Sequence, residues 1–114
     1  TVKPPSGEID RETMIARSEL AIHTLTWTKA VTDTVFEVAC TAQQFPENVC
    51  SIYDTSAACA QVALNTARHA LANYGQAETV LNAELLQSSI QDLAPLILKF
   101  DMIYKQPESV GGVA

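Results

Sequence analysis

Residues 45–74 read FPENVCSIYDTSAACAQVALNTARHALANY, and their apolar and small side chains recur at Tyr53, Ala57, Ala60, Leu64, Ala67, Leu71 and Tyr74. Alternating steps of three and four residues place all seven on one helical face. Pro46 suits the first position of such a helix, Glu47 meets the positive end of its dipole, and Gly75 suits a left-handed C-terminal stop. Between Ser51 and Ala77 only Asp54 and Arg68 carry charge. A helix so short of charge is expected to sit centrally in a bundle or to contact another chain.

Downstream, Ala83, Leu86, Ile90, Leu93, Ile97, Phe100 and Tyr104 repeat the same pattern between polar flanks, which predicts another amphipathic helix. Pro95 falls inside it and predicts a kink or break near 91–94. Upstream, Met14, Ser18, Ala21, Leu25, Thr28, Thr32, Val35 and Ala39 mark a long first helix from about Glu8, widened by Ile15, Ile22 and Phe36. The Thr-rich stretch 24–35 favours β structure locally. The helical spacing nevertheless runs unbroken from Met14 to Ala39, too long for a strand, and Thr hydroxyls can bond carbonyls one turn back.

The expected fold is therefore all-α, an antiparallel bundle of three long helices spanning 8–105. An extended leader or tether occupies 1–7, where two Pro, a Ser and a Gly oppose regular structure, and a flexible tail occupies 106–114. At 114 residues there is room for one core. The chain opens without an initiator Met, which leaves a removed targeting segment and a trimmed start as open alternatives.

Net charge is −6 and the seven Lys and Arg are scattered, so no basic stripe is available to neutralise phosphates, and nucleic acid is not an expected partner. No apolar run approaches the roughly 18 residues of a membrane span. A membrane link is expected only through a removed or lipidated N-terminal segment, and the chain itself is expected to be soluble.

Cys40 and Cys50 flank Phe45 symmetrically, so an antiparallel hairpin brings them face to face as a disulfide. The alternative is two reduced thiols at a turn, and the redox compartment decides between them. Cys59 is too far along the helix to pair with Cys50 and is expected to be a small buried residue among alanines. The thiol spacings match no metal-binding pattern. His23 and His69 stand alone on their helices, and Glu8, Asp10 and Glu12 are explained by the helix dipole. With no phosphate loop, nucleophile elbow or carboxylate–His motif, the reading is a non-enzyme with no catalytic, cofactor-binding or metal residues. Trp27, Tyr53 and Tyr104 are candidate binding anchors if exposed, with core duty the stronger expectation for Tyr53 and Tyr104.

The Pro-containing leader, the Thr- and Ala-rich first helix and the 45–74 stretch together resemble small periplasmic proteins encoded by bacteriophages and prophages, many of them lipoproteins. The resemblance implies export to an oxidising envelope, in keeping with a Cys40–Cys50 bridge, and roles in lysis or superinfection exclusion through protein partners. A structural subunit of a virion or other assembly is the alternative. No functional residue carries over.

Overall fold

A computed structural model describes residues 11–111. The leader 1–7, Glu8, Asp10 and the end of the tail, 112–114, lie outside the described residues. Helix α1 spans Arg11–Thr41, α2 spans Glu47–Gln76 and α3 spans Val80–Lys105, followed by a short 3-10 turn, Pro107–Gly111. The three helices pack on one another as an antiparallel bundle, a rod of 58 × 22 × 20 Å.

The first corner, read from Pro46 and Glu47 in the sequence, is also set by backbone hydrogen bonds at the end of α1. Gln44 donates its backbone N–H to the Ala39 carbonyl at 2.8 Å and Gln43 donates to Cys40 at 3.1 Å, a Schellman ending with Gln43 in the left-handed region at φ 58°. A side chain there costs about 1 kcal/mol relative to Gly. Gln43→Gly should therefore raise the melting temperature by about 4 °C, as read by circular dichroism. Pro46 stands just outside α2, and Glu47 occupies its first turn.

The second corner corrects the expected Gly75 stop. Gly75 lies within α2, and the helix ends a residue later, with Ala77 extended and its N–H donated to Asn73. Thr79 then caps α3, its Oγ1 accepting from the Asn82 N–H at 3.1 Å, while Asn82 Nδ2 donates back to the Ala77 carbonyl at 2.8 Å. One threonine and one asparagine thus fix both the end of α2 and the start of α3. An ion pair from Arg11 to Glu78 ties the beginning of α1 to the same corner.

The helical pattern of α3 continues through Pro95, so the break expected at 91–94 does not occur. Pro95 and Gln91 are both exposed, on the side of the helix where a missing backbone hydrogen bond is cheapest.

The seams read from sequence form the core. Tyr53, Ala60, Leu64, Ala67 and Tyr74 of α2 are buried, as are Leu86, Leu93 and Phe100 of α3. On α1, Leu25, Ile22, Phe36 and Ala39 are joined by buried Ser18 and Thr32, whose hydroxyls donate to the Met14 and Thr28 carbonyls, each at 2.7 Å. Satisfied within their own helix, these hydroxyls enter the core without a tertiary partner. At the end near the first corner, Phe36 stacks on Tyr53 at 3.9 Å and tilts against Phe45, and Phe100 meets Tyr53 edge-on at 5.9 Å. With few aromatics in the chain, this cluster concentrates the bulky contacts at one end of the rod.

Three residues depart from expectation. Tyr104 is 46% exposed and Ile103 takes its place in the core. Cys59 is exposed, one position off the buried seam at Ala60. Val110, in the stretch read as a flexible tail, is 1% exposed and packs with the core from a 3-10 turn resting on α2 and α3.

Candidate functional surface

Cys40 and Cys50 are bonded, their Cα atoms 6.1 Å apart, across the end of α1 and the start of α2. A groove of about 290 Å³ opens beside the bridge, lined by Asp33, Phe36, Glu37, Tyr53 and Asp54. Two of its polar groups, Tyr53 and Asp33, are committed to the fold. The Tyr53 hydroxyl donates to Asp33, and Lys29 Nζ donates to the other oxygen of that carboxylate at 2.8 Å.

Burial, and then the adjacent Asp33 carboxylate, push the Tyr53 phenol well above its ordinary pKa. The raised value belongs to the folded state, so the neutral phenol's contribution is fully present below about pH 10, the unfolded value, and is lost above it. Between pH 9 and pH 11 the native protein should lose about 1 kcal/mol more stability than Tyr53→Phe, measured by urea unfolding. Near pH 8 the variant itself should be less stable by about 1 kcal/mol.

The other titratable candidates are not brought together. His23 is exposed and lines an open groove of about 690 Å³ between α1 and α2 with Glu19, Leu20, Thr26, Arg68 and Leu71. Arg68 Nη2 is held there by Thr26 Oγ1 at 2.8 Å. His69 is exposed in a separate groove between α2 and α3, beside Asn73, Asn82, Leu85 and Ser89. Cys59 lines neither of these grooves. Among the described residues no group of three or more His, Cys, Asp or Glu is placed to hold a metal ion, and no helix is long and apolar enough to cross a membrane.

Exposed apolar side chains fall mainly on two helices: α3 leaves Val80, Leu81, Leu85, Leu98 and Met102 in water, and α1 carries the one exposed Trp. Trp27 is 61% exposed, and Leu20 and Val38, at 67% and 63%, lie on the same side of the helix. With exposed Thr34 and half-buried Thr24 and Val31 they form a second stripe at steps of four, three, four, three and four residues, beside the seam that packs against α2 and α3. No charged residue interrupts it. Sequence reasoning singled out Trp27 but missed the stripe, because Thr and apolar residues occupy both faces of α1 and two interleaved patterns read as one broad face.

The outer face of α2 is also poor in charge, with Ser51, Thr55, Cys59, Val62, Thr66 and His69 exposed. Its side chains are mostly short or polar, so it offers less apolar area than the α1 stripe. The alanines of α2 divide in the same way: Ala60, Ala67 and Ala70 are buried within the bundle, while Ala58 and Ala72 are exposed.

Comparison with protein-family models, with curated proteins and with solved structures yields no match, so the functional reading rests on these residues and their arrangement.

Proposed function

We propose that this chain is a non-enzymatic binding protein of a bacterial or phage envelope, acting by protein–protein contact through the outer face of α1. The single observation that carries the reading is the exposed Trp27 set between Leu20 and Val38 on an uncharged stripe. A large amphipathic ring in an apolar surround has the make-up of an interface anchor, and leaving it in water is unfavourable. The bonded Cys40 and Cys50 favour an oxidising, exported setting. The resemblance to phage and prophage periplasmic proteins favours the same setting, and with it lysis or superinfection exclusion as the process served.

The test is site-specific photocrosslinking in producing cells, with the crosslinker placed in turn at Leu20, Val38 and, on α2, Gln61. Protein adducts concentrated at the α1 positions are expected. Adducts that are absent, or equal at all three positions, overturn the reading. Export is checked separately by counting thiols on unreduced protein from cells. One free thiol, from Cys59, is expected, and three would remove the support for an oxidising compartment.

The charge-poor outer face of α2 favours a second reading, a structural subunit of a virion or other assembly, in which that face packs against neighbours. It requires an assembly that grows with concentration, and adducts from Gln61 at least as strong as those from Leu20.

A further inference from the structure

We infer that the occupant of the α1 stripe is a second copy of this chain, laid antiparallel across a two-fold axis near residue 29; this rests on the reading of α1 as the binding face. The stripe is palindromic in character: Leu20, Thr24, Trp27, Val31, Thr34, Val38 runs apolar, Thr, apolar, apolar, Thr, apolar in either direction. A two-fold interface requires this property, because each residue must suit its partner in both senses at once, whereas a different protein would demand no symmetry from the stripe.

In that register Trp27 lies opposite Val31 of the second copy, Leu20 opposite Val38, and Thr24 opposite Thr34. A large ring therefore meets a small side chain twice, and the two hydroxyl layers face each other on either side of the Trp27–Val31 centre. No charge is desolvated, since none lies within the stripe.

The area fits a modest dimer. The stripe runs from Leu20 to Val38, roughly 27 Å at the helical rise. Leu20, Trp27 and Val38, each more than 60% exposed, supply most of its area, ~1,000 Å² in total over the two copies and near the lower limit for specific association. A dissociation constant in the micromolar range is the expected consequence.

Sedimentation equilibrium over a wide concentration range tests association, and cysteine pairing tests geometry. Native protein should pass from 12.3 kDa to twice that mass, and Trp27→Glu, whose site is exposed, should keep its helicity and bind itself at least tenfold more weakly. For geometry, Thr24→Cys and Thr34→Cys are each made in a Cys59→Ser background. Oxidation of their mixture should yield the mixed dimer, while neither variant alone should crosslink efficiently.

A constant monomeric mass overturns the inference. If α1 still crosslinks in cells, the binding reading survives and the partner is another protein; if it does not, both fall. Efficient self-crosslinking of Thr24→Cys alone indicates a parallel pair and overturns the antiparallel arrangement. Association unaffected by Trp27→Glu places the contact on another face and is equally fatal.

Discussion

Leu64→Asp should abolish cooperative folding. Leu64 is 1% exposed at the middle of α2, within the cluster formed by Leu25, Ala60, Leu93 and Phe100. Removing its side chain alone forfeits about 2 to 5 kcal/mol in burial and cavity terms. An aspartate there must also either enter the interior without a partner or take up a proton, adding several kcal/mol more. The total reaches the roughly 5–15 kcal/mol that holds a domain of this size together. Val62→Asp supplies the control: two residues away and exposed, it should change stability by less than about 0.5 kcal/mol. Circular dichroism melts of the two variants decide the matter. A native-like melt for Leu64→Asp would mean that the buried seam of α2 is wrongly placed.

The seam was legible because a heptad step on a helix that is mostly Ala, Leu and small polar residues leaves little choice of inward face. Tyr53, Leu64 and Tyr74 follow one another at close to three helical turns, and all three are buried. Residue chemistry misled where it was allowed to outrank phase. Cys59 was assigned to the interior as a small residue among alanines, yet its neighbour Ala60 is on the seam, and a turn of about 100° per residue carries Cys59 outward. Tyr104 and Ile103 lie four and three residues after Phe100, equally allowed by periodicity, and only packing of the final turn selects Ile103.

Other features had weaker signals or none. Val110 is a single apolar residue in a stretch without period, so its docking depends on a hydrophobic gap between α2 and α3 that exists only once the bundle forms. Gln43 in the left-handed region is invisible to a reading that looks for Gly at helix ends. At Pro95 the local rule allowed a kink or a break, and the helix runs on unbroken where Pro95 and Gln91 are both exposed. The α1 stripe joins these cases. Exposure divides one broad apolar and Thr pattern into an inner face that builds the bundle and an outer face on which Leu20, Trp27 and Val38 stand in water.

Replacing both bridged cysteines, Cys40→Ala with Cys50→Ala, should lower stability by about 2 to 3 kcal/mol, the loop-entropy contribution of a closure this short. For a bundle of this length, that is about 10 °C in melting temperature. The fold should survive, because Phe36, Phe45 and Tyr53 still pack under the corner and the Schellman bonds of Gln43 and Gln44 do not involve sulfur. Reductant should produce the same loss in the native protein and none in the double variant, which separates the bridge from any effect of the side chains themselves. Hydrogen exchange locates the change: amides of the last turns of α1 and the first turns of α2 should lose protection first. Those around Met14, Tyr74 and Leu86 should follow only with global unfolding, since they belong to the core cluster at the opposite end of the rod. A double variant as stable as the native protein would assign the corner's stability to the aromatic stack, and would leave the bridge as a marker of the compartment in which the chain folds.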